Sequence, residues 1–393
     1  MKKAHLLMFL LVMTSPIKAQ LDLSQREIEK LSSVTIAEME IKHIKVTWPR
    51  QVGKNSRLDV HGFGPETKFA VINTNEYQGI GQTNSINDVK LNTEKDILIG
   101  KSIWSAIDPS TLMVKKEYRT FDIAIYDIIG VILNKPAYKL FGKPVSNRVK
   151  CYSGMIYCDD LEYDTYAAGL KQVLDNCQYD YDLGYRYFKL KIGRGGKWME
   201  RGAGLERDIE ITKEIHKKFP DVTILVDAND AYTVEECIEY LEGISPIEPY
   251  WVEEPFRENK EDYEILHEWR IKNAPNIRLA DGELKPIKNL LLDLGSQGII
   301  DVYLPDIIGV GFSNWLELGA ELKSRGIMGS PHNWGTYFKT VYSAHFAMAF
   351  GNVDIIEGVT IVDAEEVDFG EFNLKNGYFI PSKKAGFGMT LKK

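Results

Sequence analysis

The sequence predicts an α/β protein: a (β/α) barrel that carries a smaller α+β domain. The first observation is a set of ionisable residues, each at the carboxyl end of an apolar run typical of a buried strand. These residues are Asp227, Glu253, Glu283, Asp306, His332 and Glu357. The second is their spacing, in steps of 26, 30, 23, 26 and 25 residues, because one strand, one helix and their loops need about that much chain. The third is the length of 393 residues, which exceeds a single ordinary core.

Residues 1–19 have the pattern of a secretory signal peptide. Two lysines precede an apolar stretch that is too short to span a membrane, and the small residue Ala19 marks the predicted cleavage position. No cysteine follows this stretch, so a lipid anchor is not expected. We therefore predict an exported, periplasmic protein whose mature chain starts near Gln20. A buried N-terminal helix is the alternative.

Residues 34–145 are predicted to form the α+β domain, with strand-like stretches first and helices after them. In the helical part, apolar residues recur at helical spacing on one face. They are Phe121, Ile125, Ile128, Ile129 and Ile132. Between the first strands, residues 49–66 are polar and contain glycine, which predicts a loop.

Residues 146–357 alternate between strand and helix patterns and are predicted to form the barrel. One early strand, YRYFKLKIG, ends in Lys189 and Lys191. The last segment, residues 358–393, is too short to fold alone. It must therefore pack back on the rest of the protein.

The composition excludes some classes of function. The formal net charge is −8, and no basic stretch is interleaved with aromatic residues, so neither nucleic acid nor an anionic membrane surface is an expected partner. The four cysteines form no metal-binding spacing and are too few for a disulfide scaffold. Single buried thiols are expected instead.

Three carboxylates on successive strand ends predict a metal site. Asp227, Glu253 and Glu283 would converge, because adjacent strands lie about 4.8 Å apart. Like charges at that range repel unless a cation binds them, and an all-oxygen donor set suits Mg²⁺, with Mn²⁺ as a substitute. Glu254 competes with Glu253, but neighbouring residues of a strand face opposite ways. Asp281 is a similar rival to Glu283.

Candidate bases lie on either side of this cluster. Lys189 and Lys191 are two residues apart and so share one face of their strand. A second ammonium and a divalent cation nearby would lower the pKa of Lys191 enough for it to act as a base. On the other side, Asp306 could orient the imidazole of His332 and raise its basicity.

These residues also carry a family resemblance. The chain resembles the enolase superfamily, in particular its mandelate racemase-like subgroup of acid-sugar dehydratases, racemases and cycloisomerases. The matching stretches are FDIAIYDIIGVILNKPAYKLFG, KLKIG, VDAND, VEEP, DGE, LPDIIGVGF, SPHNWG and IIEG. The resemblance implies an α+β cap, a (β/α)7β TIM-type barrel, and a C-terminal segment that completes the cap.

The resemblance also implies roles for the residues. Asp227, Glu253 and Glu283 would bind one Mg²⁺ per subunit. Lys191 would be one base and His332, with Asp306, the other. Lys189 would lie against the substrate carboxylate, and Glu357 would form a hydrogen bond to the enolate side of the intermediate. Asn229 would support the metal or the substrate carboxylate. A homo-oligomer is expected.

The predicted chemistry is abstraction of the α-proton of a carboxylate substrate to give an enediolate. We predict that dehydration of a sugar acid to a 2-keto-3-deoxy acid follows, because SPHNWG resembles the dehydratase members. The loop of residues 49–66 also offers polar side chains for a polyhydroxylated acid. They are Arg50, Lys54, Arg57 and His61.

Other outcomes remain open. Racemisation, epimerisation or cycloisomerisation of a hydroxy acid would use the same site. A secreted glycoside hydrolase also uses two carboxylates at barrel strand ends, although it needs neither the paired lysines nor a metal. A non-catalytic binding protein on a barrel scaffold is the last alternative.

Overall fold

The computed structural model describes residues 20–83 and 87–392. The predicted signal peptide, residues 1–19, lies outside the described residues. Among the described residues, none of the helices combines the length and the apolar character needed to cross a bilayer.

The N-terminal part folds as an α+β cap. Its helices are α1 (Gln25–Ser33), α2 (Asp88–Asp96) and α3 (Asp122–Leu133), with short 3-10 turns at Ile103–Ala106, Lys116–Phe121 and Ala137–Phe141. Its strands are β1 (Glu38–Thr47), β2 (Glu66–Asn73), β3 (Gln78–Gln82), β4 (Ile107–Asp108) and β5 (Met113–Val114). The first three strands form an antiparallel sheet in chain order, and α3 packs on β3.

Helix α3 is buried over most of its circumference rather than on one face. Ten of its twelve residues are buried, including Asp122 and Asp127. The helix approaches β3 very closely: a Cβ at Gly81 would lie 2.4 Å from the backbone nitrogen of Ala124. It also contacts the barrel helix at residues 312–324. The one-sided prediction was therefore incomplete, because the cap sheet and the barrel cover the helix from different sides.

The barrel consists of eight parallel strands joined by helices. The strands are β6 (Val149–Ile156), β7 (Tyr187–Lys191), β8 (Thr223–Asp227), β9 (Trp251–Glu253), β10 (Arg278–Asp281), β11 (Val302–Tyr303), β12 (Met328–Gly329) and β13 (Ile355–Gly358). The helices are α4 (Tyr166–Leu183), α5 (Arg201–Lys218), α6 (Val234–Ile244), α7 (Lys260–Asn273), α8 (Lys288–Ser296), α9 (Ile307–Val310), α10 (Phe312–Ser324) and α11 (Tyr337–Phe350). Strand β13 pairs with β6, and a bridge from Gly329 to Val353 closes the cylinder as a (β/α)7β barrel.

The segment after the barrel joins both parts of the molecule. It contains β14 (Asp363–Ala364), β15 (Val367–Asp368), β16 (Leu374–Lys375), β17 (Tyr378–Phe379) and β18 (Thr390–Leu391). Strand β14 pairs with β1 of the cap, whereas β17 pairs with β6 of the barrel. The four cysteines of the chain are free and buried.

The barrel interior explains where the charged residues lie. A separate cluster of buried side chains includes Leu225, Trp251 and Ile355. Each stands two residues before an acidic residue of its own strand, so both side chains point to the same face. This apolar layer therefore fills the barrel interior below the site, and the acidic residues lie next to it at the carboxyl ends of the strands.

Candidate active site

The predicted site residues lie at the carboxyl ends of seven barrel strands. Lys189 and Lys191 are on β7, Asp227 ends β8, Glu253 ends β9, Glu283 follows β10, Asp306 follows β11, His332 follows β12, and Glu357 is on β13. Apart from Glu283 and Asp306, these side chains are buried. This is the end of a barrel where catalytic groups are found.

Asp227, Glu253 and Glu283 form the cluster predicted for a metal. One carboxylate oxygen from each lies within 4.8 Å of the others. Within residues 20–83 and 87–392, Glu283 Oε2 and the neighbouring Asn229 Oδ1 are buried without a hydrogen-bond partner. Buried oxygens normally have a partner. A hard divalent cation at the cluster would satisfy the oxygen of Glu283, so the donor set fits Mg²⁺.

Local backbone geometry places these ligands. Asn229 adopts φ 47°, and its backbone N–H donates to Asp227 Oδ1 at 2.9 Å. Gly282 adopts φ +124°, a conformation suited to glycine, and turns the chain so that Glu283 joins the cluster. The indole N–H of Trp251 donates to Glu253 Oε2 at 3.0 Å. Each ligand is thus oriented before a cation binds.

Lys189 and Lys191 both contact the carboxylates. Lys189 Nζ lies 2.8 Å from Glu253 Oε1 and 3.3 Å from both Asp227 Oδ2 and Glu357 Oε1, and Lys191 Nζ donates to Asp227 Oδ2. Burial lowers the pKa of Lys191, but Asp227 raises it, and the net direction is upward. The predicted lowering is therefore not a property of the protein groups alone. It requires a cation that neutralises the carboxylates.

His332 and Asp306 form the predicted pair. His332 Nδ1 lies 3.2 Å from Asp306 Oδ2, which leaves Nε2 at 3.4 Å from Glu283 Oε2 and 3.8 Å from Glu357 Oε2. Burial lowers the pKa of His332, but the carboxylates of Glu283, Glu357 and Asp306 raise it to about 9. These three carboxylates thus favour the protonated imidazole, and a cation bound by Glu283 would weaken that effect.

The two rival carboxylates lie outside the cluster. Tyr263 Oη donates to Asp281 Oδ2, and burial raises the pKa of Asp281 well above its usual value. Strand β9 ends at Glu253, and Glu254 adopts φ 39°. Strand alternation therefore does not govern Glu254, contrary to the sequence argument. Its carboxylate accepts hydrogen bonds from Arg57 at 3.1 Å and from the backbone of Leu284 at 3.1 Å.

The cap arginines are placed differently from the prediction. Both terminal nitrogens of Arg50 donate to the buried Asp180, at 2.9 and 2.8 Å. Arg50 therefore anchors the cap loop on α4. Its predicted role in substrate binding stays a prediction, although its two terminal nitrogens already bond to Asp180. Arg57 bridges Asp230, at 2.8 Å, and Glu254 beside the metal cluster.

Two residues at the site were missed by the sequence reasoning. Tyr157 follows β6, and the centre of its ring lies 5.4 Å from Lys191 Nζ. Its position at a strand end was a usable signal, although a tyrosine carries no charge near neutral pH. Lys339, in the first turn of α11, donates to Asp306 Oδ2 at 2.7 Å. No sequence pattern joins these two residues, which are 33 positions apart.

Comparison with known proteins agrees with this geometry. A family model described as enolase C-terminal domain-like matches residues 172–393. The chain belongs to the enolase superfamily. Its resemblance to the mandelate racemase-like subgroup and the predicted fold class are confirmed by this match and by solved structures that share the cap and barrel.

Sequence relatives and structural neighbours point to the same subgroup. A galacturonate dehydratase from Geobacillus sp., solved as a variant complexed with Mg, is 28% identical with a TM-score of 0.86 and covers 95% of each chain. A second structure of that enzyme, complexed with D-galacturonate and 5-keto-4-deoxy-D-galacturonate, is 30% identical with a TM-score of 0.84, covering 92% of this chain and 95% of that one. The arabinonate dehydratase of Saccharolobus solfataricus is 25% identical over 275 residues, which are 69% of this chain and 68% of the relative.

Proposed function

We propose that this enzyme is a Mg²⁺-dependent lyase that dehydrates a sugar acid. The observation that carries the proposal is the placement of two proton-transfer groups around one carboxylate cluster. Lys191 contacts the cluster at Asp227, whereas His332 contacts it at Glu283. A substrate whose carboxylate lies at the cluster would have a group on either side of its α-carbon. The dehydratases among its relatives support the same reaction class.

Asp227, Glu253 and Glu283 would hold the Mg²⁺ ion. When bound, the ion supplies positive charge where negative charge develops on the substrate carboxylate. Lys189 adds a fixed ammonium there, because its Nζ is held within 3.3 Å of three carboxylates. Its contribution is preorganised and needs no rearrangement during the reaction.

Dehydration then needs two proton transfers. Lys191 Nζ takes the α-proton, so the C–H bond breaks and its electron pair forms a carbon–carbon double bond. The β-hydroxyl leaves with its bonding electrons, and His332 Nε2 donates the proton that converts it to water. The enol that remains becomes the 2-keto-3-deoxy acid by proton transfer. Asp306 keeps Nε2 directed to the cluster by accepting from Nδ1.

The test is a screen of sugar acids, including galacturonate and arabinonate, with semicarbazide detection of the keto product. We expect turnover with Mg²⁺ or Mn²⁺, loss of turnover in EDTA and recovery on adding Mg²⁺. Glu253→Gln is the matched inactive protein. Turnover that survives exhaustive chelation contradicts the proposal and favours a metal-independent reaction such as glycoside hydrolysis.

A racemase, epimerase or cycloisomerase is the second candidate. The same pair of groups supports it, because reprotonation from the opposite side inverts the α-carbon. Polarimetry and proton NMR of each sugar acid separate the cases. An epimer or a rearranged ring without a keto product identifies an isomerase.

We also propose that the protein is exported to the periplasm and forms a homo-oligomer. The sequence of residues 1–19 supports export. N-terminal sequencing of the native protein is expected to start near Gln20, and an intact Met1 contradicts export. Light scattering of the purified protein measures the oligomeric state, and a monomer contradicts the proposed homo-oligomer.

A further inference from the structure

Lys339 occupies a position that the proposed reaction does not use directly. It lies in the first turn of α11, and its side chain is 14% exposed. Its Nζ donates to Asp306 Oδ2 at 2.7 Å and to the backbone oxygen of Trp334 at 2.9 Å. The first turn of a helix disfavours a cation, because the helix dipole is positive there. The carboxylate and the carbonyl oxygen offset that penalty.

The carboxylate of Asp306 is bonded on both oxygens. Oδ1 accepts from the backbone N–H groups of Ile308 at 2.9 Å and Gly309 at 2.8 Å. Oδ2 is shared between Lys339 and the imidazole Nδ1 of His332, the latter at 3.2 Å. Four donors therefore set the orientation of this carboxylate. Lys339 is the one that also bonds to the loop between His332 and α11, through Trp334.

We propose that Lys339 is a positioning residue for the acid His332. This inference rests on the proposed function, because it assigns His332 the second proton transfer. Lys339 touches neither the carboxylate cluster nor the reacting atoms. It holds Asp306 Oδ2 in place, so that Nδ1 of His332 faces Asp306 and Nε2 faces Glu283 and Glu357. No bond is made or broken at Lys339.

The kinetic test uses Lys339→Met, which keeps the length of the side chain and removes its charge. We expect kcat for dehydration to fall about 10-fold or more, as for other residues that orient a group in contact with the site, while KM changes less than about twofold. Exchange of the α-proton in D₂O is expected to persist, because Lys191 performs it. Lys339→Arg should recover most of kcat, since a guanidinium keeps the positive charge and offers N–H donors to Asp306 Oδ2.

Lys150→Met is the matched control. Lys150 Nζ pairs with Asp354 Oδ1 at 2.9 Å, so this variant also removes a half-buried lysine–aspartate pair. The pair lies at the amino end of β6, opposite the site. Its kcat is expected to equal that of the wild type. An equal loss of kcat in both variants would mean that any lost ion pair loosens the barrel, and it overturns the proposal.

A second measurement needs no substrate. Proton NMR should show a downfield ring N–H resonance for His332, identified by its absence in His332→Asn. We expect this resonance to shift in Lys339→Met and to stay in place in Lys150→Met. If no sugar acid is turned over, the proposed function fails and this resonance alone decides the inference. A resonance that does not move, or a wild-type kcat in Lys339→Met, overturns it.

Discussion

At the active centre, opposite charges compensate each other across strands. Lys189 contacts carboxylates from β8, β9 and β13, so a single ammonium balances part of three negative charges. Burial opposes ionisation of Asp227, but Lys191 and Lys189 hold its pKa below the usual value. Burial raises the pKa of Glu253 well above the usual value, against the effect of Lys189. The carboxylates of the cluster are therefore only partly neutralised by the lysines, which favours binding of one further cation.

Removing one ligand tests the assignment of the metal. Glu253→Gln is expected to lower Mg²⁺ affinity by more than the about 10–100-fold that outer partners contribute, because it deletes a charge from the cluster itself. Glu254→Gln should be milder, since its carboxylate bonds to Arg57 and Leu284. Calorimetric titration of both variants gives the order. The reverse order would mean that Glu254 is the ligand.

The two proton-transfer groups can be separated in D₂O. Lys191→Ala is expected to lose exchange of the α-proton, because the base is absent. His332→Asn should keep that exchange but fail to release water, since its acid is absent. Both losses should reach about 10²–10⁴-fold. If both variants lost exchange on every substrate, one group would perform both steps and the two-sided site would be wrong.

At the scale of elements, a glycine in one barrel strand leaves space for a side chain of the site on the next strand. Gly154 of β6 faces Glu357, and a Cβ there would lie 2.3 Å from Glu357 Oε1.

Helix α3 is fixed by a side chain rather than by packing alone. Asp127 accepts from the backbone N–H of Ile80 on β3 at 2.8 Å and from that of Phe387 at 2.7 Å. One carboxylate thus ties the cap helix to its sheet and to the C-terminal segment.

This carboxylate predicts a dependence of stability on pH. Burial raises the pKa of Asp127 to about 7, from 3.8. Between these values the folded protein keeps a proton that the unfolded chain releases, so the free energy of unfolding falls as pH rises from about 4 to about 7. Asp127→Asn should be less stable, because an amide offers only one acceptor. Its slope should be shallower than that of the wild type, with the remainder due to groups such as Asp122 and Asp159, whose pKa burial raises to about 6.

Urea unfolding at pH values of about 5, 6, 7 and 8 measures the slope. Asp108→Asn is the control: hydrogen bonds from Ser110 lower the pKa of Asp108, so its titration lies below this window. Its slope should match that of the wild type. A slope in Asp127→Asn that also parallels the wild type contradicts the prediction.

At the scale of the whole molecule, the C-terminal segment makes the cap and the barrel interdependent. It adds β14 to the cap sheet and β17 to the barrel strand β6. Its side chains Val367, Phe379, Phe387 and Met389 are buried in the main core. The cap therefore has no complete core of its own without the end of the chain.

Shortening the chain tests this dependence. A protein that ends at Gly358 is expected to be insoluble or to lack a cooperative thermal transition, because buried apolar surface loses its partners and Asp127 Oδ1 loses the N–H of Phe387. A protein that ends at Leu391 keeps every strand and is the control. Circular dichroism during heating distinguishes them. A soluble Gly358 protein that melts at the temperature of the wild type would contradict the prediction.

The sequence alone predicted the barrel and the cluster of charges at its carboxyl end. Both follow from local rules: a strand, a helix and two loops need a fixed length, and a side chain two residues beyond a buried one shares its face. Asp227, Glu253 and Glu357 obey these rules because each lies on a regular strand. The short motifs around them were enough to indicate the family.

Only the tertiary structure decided the roles of side chains whose partners are remote in sequence. Arg50 bonds to Asp180, 130 residues away, and no local pattern could show that its fork is occupied. Glu254 lies beyond the end of its strand, where alternation no longer applies. Lys339 meets Asp306 because β11 pairs with β12, the strand that precedes α11. Hydrogen bonds and desolvation depend on such distances in space, which sequence spacing does not contain.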